Sequence, residues 1–151
     1  MTEINIHASC VAMRGAGVLL LGASGAGKSD LALRLIDQGA MLVADDRVLL
    51  SVRKGLLQAR APDSISGLIE IRGLGIVAMP VKRSAAIRLA VRLGREGPRL
   101  PQIRHYASPL PLTQKVPLIV LDPHFASTPA KIRAALAAFS KDLFRGNFNT
   151  K

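Results

Sequence analysis

A chain of 151 residues, 49% of them hydrophobic, is long enough to bury one substantial core and too apolar to stay disordered. Its net charge of +11 attracts polyanions, but the cations are scattered from Arg14 to Lys151, and 3% aromatic residues are too few for a platform that stacks single-stranded bases. The single cysteine, Cys10, excludes an intrachain disulfide, and no apolar run is long enough to cross a bilayer. The first residues, Met-Thr-Glu-Ile-Asn-Ile-His, hold no basic stretch followed by an apolar one. The expectation is a soluble, cytoplasmic protein with one domain over residues 1–151.

In chain order, Ile4 to Ile6 and Cys10 to Arg14 read as short strands. Gly17 to Leu21 is a continuous apolar run closed by glycine, the pattern of a strand buried on both faces. Ser29 to Gln38 follows as a helix, with Leu31, Leu35 and Ala32, Ile36 at i, i+4, Asp30 in its first turn and Gly39 as its stop. Met41 to Ala44 is a second buried strand that runs into Asp45-Asp46. Val48 to Arg53 and Leu56 to Ala61 flank Lys54-Gly55 as a hairpin. Ile69 to Arg72, Ile76 to Met79, Ile87 to Leu93 and Val116 to Leu121 are further strands, and Gly94 to Leu112 is a long loop. Pro129 to Phe144 is a final helix, capped by Ser127 or Thr128. Strands outnumber helices, whereas phosphate-loop proteins commonly alternate the two.

Gly22-Ala23-Ser24-Gly25-Ala26-Gly27-Lys28-Ser29 matches G-x-x-x-x-G-K-S/T in full, between a buried strand and an amphipathic helix. The glycines let successive N–H groups point into one hollow, and the helix start adds partial positive charge. Lys28 then reaches the outer phosphates of a nucleotide, and the Ser29 hydroxyl is placed to ligate Mg²⁺. Asp45 and Asp46 end an apolar strand, as Asp122 ends Leu118 to Leu121. The first pair suits a metal site or a base that takes a hydroxyl proton. Asp122, followed by Pro123, reads as a turn residue.

Three stretches together resemble the catalytic domain of the HPr kinase/phosphorylase family: Gly15 to Ser29 with His7 upstream, Gly39 to Asp46 with Val48, and Ile69-Glu70-Ile71-Arg72-Gly73-Leu74-Gly75-Ile76. The resemblance covers roughly residues 5 to 80. It implies an α/β phosphate-loop fold with a β-rich sheet, similar to phosphoenolpyruvate carboxykinase at the nucleotide site. It also implies an ATP- and Mg²⁺-dependent kinase acting on a serine of HPr, or of an HPr-like carrier of the phosphotransferase system. By position, Gly22 to Ser29 would bind ATP, while Ser29 and Glu70 would ligate Mg²⁺. Asp46 would take the serine proton with Asp45 beside it, and His7 would tune that carboxylate. Residues 69–78 would form the segment serving both directions of the reaction, with Glu70 and Arg72 projecting from one strand face. The family's common hexamer implies a homo-oligomer.

The family's Pro-Val-Arg-Pro-Gly-Arg-Asn-like stretch has no counterpart after Val116 to Pro123, which leaves Lys131, Arg133 and Arg104 as substitutes for its arginine charge. The expectation therefore rests on kinase activity, and phosphorylase activity stays open without that arginine. Two other classes stay open: a regulatory module that binds nucleotide without transfer, and an NTPase associated with nucleic acid, against which the sparse aromatics count.

Overall fold

The computed structural model describes residues 2–145. In chain order the elements are β1 (Ile4–His7), β2 (Ser9–Met13), β3 (Ala16–Leu21), α1 (Lys28–Asp37), β4 (Met41–Ala44), β5 (Arg47–Arg53) and β6 (Leu56–Arg60). A short 3-10 turn at Asp63–Ile65 precedes β7 (Leu68–Ile71), β8 (Gly75–Ala78), β9 (Ala85–Leu93), β10 (Arg104–His105), β11 (Pro117–Leu121) and α2 (Thr128–Lys141). The result is a mixed α/β fold around a nine-stranded curled sheet, with β7 and β8 forming a separate two-stranded ribbon.

Strand β3 holds the centre because every residue from Gly17 to Leu21 is buried. Leu19 and Leu21 pack into the apolar cluster with Val43, Val48, Leu50 and Leu57. Val18 and Leu20 face the other way, against Leu31 and Leu35 of α1 and Ile132 of α2. Alternating side chains on one strand thus feed two cores, which is why the sequence there is apolar without interruption. Cys10 lies in the first cluster with no exposed surface, and burial pushes its thiol up to about 12. Native protein should therefore leave a thiol reagent unreacted at mildly alkaline pH, and denatured protein should titrate one thiol.

Strand β9 forks the sheet. Its first residues pair antiparallel with β6, through Ala85 opposite Ala59 and Ala86 opposite Gln58. Its last residues pair parallel with β11, through Ala90 to Leu93 opposite Leu118 to Leu121. Along its other side it runs parallel to β3. Consequently β3, β9 and β11 all end at one edge of the sheet. Strand β4 joins them there, because β2 lies antiparallel to both β3 and β4. Ligands collect at such carboxyl edges in α/β sheets, where helix starts and loops converge.

Local chemistry explains the boundaries. Asp30 and Arg34 form an i, i+4 ion pair on α1, and Gly39 beyond its end takes a left-handed φ of 107° while its N–H bonds to the Ile36 carbonyl. The hairpin between β5 and β6 turns through Lys54 and Gly55, both at positive φ. Three expectations need correction. The 94–112 stretch is not wholly loop, since β10 pairs with β11. Helix α2 ends at Lys141, because Asp142 adopts φ 51° and closes it. Neither Ser127 nor Thr128 caps that helix with its side chain: Thr128 Oγ1 donates instead to the Asp122 carbonyl, at 2.5 Å, and pins the entering loop. No described helix is long and apolar enough to cross a membrane.

Candidate active site

The loop from Gly22 to Gly27 joins β3 to α1 at the carboxyl edge. Gly27 stands at the helix N-cap with φ 103°, a conformation that side chains resist, and no side chain caps the first turn. Among the described residues the N–H groups of Gly25, Gly27 and Lys28 have no main-chain partner, so they are available to an anion. Lys28 is 6% exposed, and its ammonium donates to the carbonyls of Gly22 at 2.7 Å and Ala23 at 2.9 Å. Burial lowers its pKa from the ordinary lysine value, while the charges of Asp46 and Asp45 pull it back up. The cation is thus held inside the loop rather than in bulk water.

Asp45 is the hub of this edge. Its carboxylate is 5% exposed, and Oδ1 accepts from the hydroxyls of Ser29 at 2.7 Å and Ser9 at 2.9 Å. The main-chain N–H of Glu70 donates to Oδ2 at 3.2 Å. One buried carboxylate therefore ties the phosphate loop, strand β2 and the β7–β8 ribbon together. Asp45→Ala should cost about 3 kcal/mol of stability, since Ser9 and Glu70 lose a charged acceptor with little water to replace it. Urea unfolding measures this, and Asp45→Asn should lose less because it keeps an acceptor oxygen.

Asp46 points the other way. It takes a left-handed φ of 70°, its side chain is 68% exposed, and Oδ1 lies 2.9 Å from His7 Nε2. Its backbone is clamped, because its carbonyl accepts from Ala8 N–H and its own N–H donates to Ser9 Oγ. Adjacent aspartates thus serve opposite environments, one buried and saturated with donors, the other open to solvent beside an imidazole.

The expected site residues divide accordingly. His7, Lys28, Ser29, Asp45 and Asp46 share one edge with the loop Gly22, Ala23, Ser24, Gly25, Ala26, Gly27. Glu70 reaches Asp45 through its main chain, and its carboxylate is exposed with no hydrogen bond or ion pair among the described residues. Arg72 falls outside β7, in the turn that Gly73 makes at φ 89°, so strand alternation does not align it with Glu70. Gly75 opens β8, and Leu74 and Ile76 around it are three-quarters exposed.

Two of the three stand-in cations are engaged elsewhere. Lys131 Nζ bonds both carboxylate oxygens of Glu96, at 3.0 and 3.2 Å, and lies over the Phe125 ring. Arg133 donates to Gln38 Oε1, while Arg104 lies on β10, whose backbone pairs with the start of β11, the end away from the phosphate loop. Asp122 makes the expected turn, accepting from His124 N–H at 2.8 Å, and this hydrogen bond lowers its pKa. Ser9 and Arg34 were not legible as site-building residues. Ser9 meets Asp45 only through the β2–β4 pairing, and Arg34 reaches from α1 to the carbonyls of Pro123 and Phe125. No sequence motif signals either contact.

Among the described residues no three His, Cys, Asp or Glu side chains gather as a self-sufficient metal centre. A Mg²⁺ ion takes few protein oxygens and completes its shell with phosphate and water. Ser29 Oγ and the Asp45 carboxylate supply hard oxygen donors at the helix start.

Known proteins resemble this chain in sequence and in fold. Residues 1–97 match the model of the HPr serine kinase C-terminal domain. An HPr kinase/phosphorylase of Caldanaerobacter subterraneus subsp. tengcongensis is 43% identical over 99 residues, 60% of this chain and 32% of that protein. One from Caldicellulosiruptor bescii is 40% identical over 132 residues, 79% of this chain and 42% of that protein. The matched stretches therefore span less than half the length of these relatives. The structure of the Hpr(Ser) kinase/phosphatase from Coxiella burnetii superposes with a TM-score of 0.77 at 26% identity, covering 93% of this chain and 92% of that one.

Proposed function

We propose, from the premise that this chain belongs to the family of HPr serine kinase C-terminal domains, that it transfers the γ-phosphoryl group of ATP to a serine of HPr or an HPr-like carrier. The observation that carries the reading is the pairing of two neighbouring aspartates with two different jobs. Asp45 holds the Ser29 hydroxyl of the phosphate loop, and Asp46, one residue on, opens to solvent against His7.

In this reading the N–H groups of residues 22–29 cradle the phosphates, and the Lys28 ammonium leaves the carbonyls of Gly22 and Ala23 for phosphate oxygens. Ser29 and Glu70 would hold Mg²⁺ beside the buried Asp45, and the ion would neutralise charge on the phosphates. Asp46 accepts the proton of the attacking serine hydroxyl, and His7 fixes the orientation of that carboxylate. The serine oxygen bonds to phosphorus, the bond to the ADP oxygen breaks, and ADP leaves with that electron pair. Residues 69–78 border the carrier side, where Leu74 and Ile76 are exposed. A cytoplasmic setting belongs to the same proposal.

Mixing the chain with Mg·ATP and HPr should add one phosphate to a serine of the carrier, seen by mass spectrometry. No transfer across a range of divalent metals and donors would overturn the kinase reading. A second reading, a nucleotide-binding module that transfers nothing, draws on the engagement of Lys131 with Glu96 and of Arg133 with Gln38. Tight Mg·ATP binding without carrier phosphorylation selects it.

A further inference from the structure

At the opposite end of the sheet from the phosphate loop lies a cavity of about 970 Å³, between α2 and the starts of β3, β9 and β11. Its separation from the loop is fixed by β3: Ala16 lines the cavity, and five residues later Leu21 leads into Gly22, roughly 17 Å along an extended strand. Leu136 and Phe139 of α2 line its apolar part, while Arg14, Arg88, Arg133 and Lys141 line its charged part. Among the described residues no aspartate or glutamate contributes to the wall.

Like most cations of this strongly basic chain, those around the cavity have no carboxylate partner among the described residues. Arg34, Arg60 and Lys131 each pair with a carboxylate. Around this cavity the guanidinium groups are held by neutral amides instead: Arg88 Nη1 donates to Gln114 Oε1 at 3.5 Å, and Arg133 to Gln38 Oε1. Among the described residues Arg14 and Lys141 have no acidic partner. An amide fixes a guanidinium without neutralising it, so most of its five N–H donors and its full charge stay available. Gathering like charges around a hollow is unfavourable until an anion enters, and an apolar lining beside them favours a ligand with an apolar body.

We infer that this cavity binds an amphipathic organic anion, a carboxylate or phosphate head on an aliphatic body, at a site separate from the nucleotide edge. The head meets Arg88 and Arg133, and the body lies along Leu136 and Phe139 against the start of β3. The site does not depend on the kinase reading, since none of its residues belongs to the phosphate edge.

Titration calorimetry with octyl phosphate and with octanoate tests it, with octanol and inorganic phosphate as the neutral and the bare-ion probes. At least one of the two amphipathic anions should bind saturably, at least about tenfold more tightly than either control, and whichever binds better identifies the head group. Arg88→Gln and Arg133→Gln should each weaken that binding about tenfold, the loss of one charge-assisted hydrogen bond. Ala137→Trp should weaken it strongly by covering the apolar wall while leaving every cation in place. Lys28→Ala should leave it unchanged. Circular dichroism establishes that each variant folds, and the arginine pair decides the matter if the tryptophan variant does not. Absence of saturable binding, equal affinity for inorganic phosphate, or unchanged affinity in both arginine variants would overturn the inference. Self-association of the chain that Ala137→Trp abolishes would overturn it too, by assigning the hollow to a second copy.

Discussion

Asp46→Asn should reduce phosphate transfer to the carrier by about 10²–10⁴-fold, the range that a positioned general base contributes, and leave nucleotide affinity within about twofold. The substitution is unusually clean here. Asparagine tolerates the left-handed φ of 70° that Asp46 adopts better than most residues, so the backbone has little reason to move. The clamps on that backbone, Ala8 N–H to the Asp46 carbonyl and Asp46 N–H to Ser9 Oγ, do not involve the carboxylate. At 68% exposure the side chain contributes little to the core, so stability should hold. What the variant loses is an oxygen basic enough to accept the serine proton. Single-turnover transfer and calorimetric titration with Mg·ATP separate the two effects. Transfer at the parent rate would remove Asp46 from the proton's path.

Lys28→Ala should act on the other half of the problem. Its ammonium is buried within the loop and bonded to two loop carbonyls, so phosphates exchange those partners for charged ones rather than recruiting a free side chain from water. Losing two charge-assisted hydrogen bonds should weaken Mg·ATP binding about 10²-fold or more. Lys28→Arg should not rescue it, since a planar guanidinium does not fit where a compact ammonium reaches two carbonyls in one tight loop. Urea unfolding should change little, because the carbonyls of Gly22 and Ala23 lie on part-exposed backbone that water can reach. A variant that binds nucleotide normally would deny the loop its role. Taken together, one substitution strikes the rate and the other the affinity, and a structural collapse would strike both.

Much of this edge is readable because its chemistry is contiguous. Eight consecutive residues carry the phosphate loop, and the strand before it and helix after it announce themselves by an unbroken apolar run and an i, i+4 repeat. Asp45 and Asp46 are legible as a pair at a strand end. Their division of labour is not, because it depends on Asp46 turning left-handed and on Ser9 arriving from β2. The same limit applies to Arg72. Two-residue alternation assigns it to the face of Glu70, but the strand ends at Ile71 and the chain turns through Gly73. Sheet forking at β9 is likewise invisible locally, since nine alternating residues look alike whether they pair with one neighbour or two on the same side. The far cavity leaves no mark in sequence, for its cations come from a turn, a strand and a helix that only the fold assembles.

A crystal structure of the chain with Mg²⁺ and a non-hydrolysable ATP analogue gives the most direct test of phosphoryl transfer at this edge. The phosphates should lie in the hollow of residues 22–29, with the Lys28 ammonium moved from the Gly22 and Ala23 carbonyls onto phosphate oxygens. Ser29 Oγ should touch the metal, and Asp46 should remain open beside the terminal phosphate. An analogue seated elsewhere, with Lys28 still bonded to those two carbonyls, would contradict it.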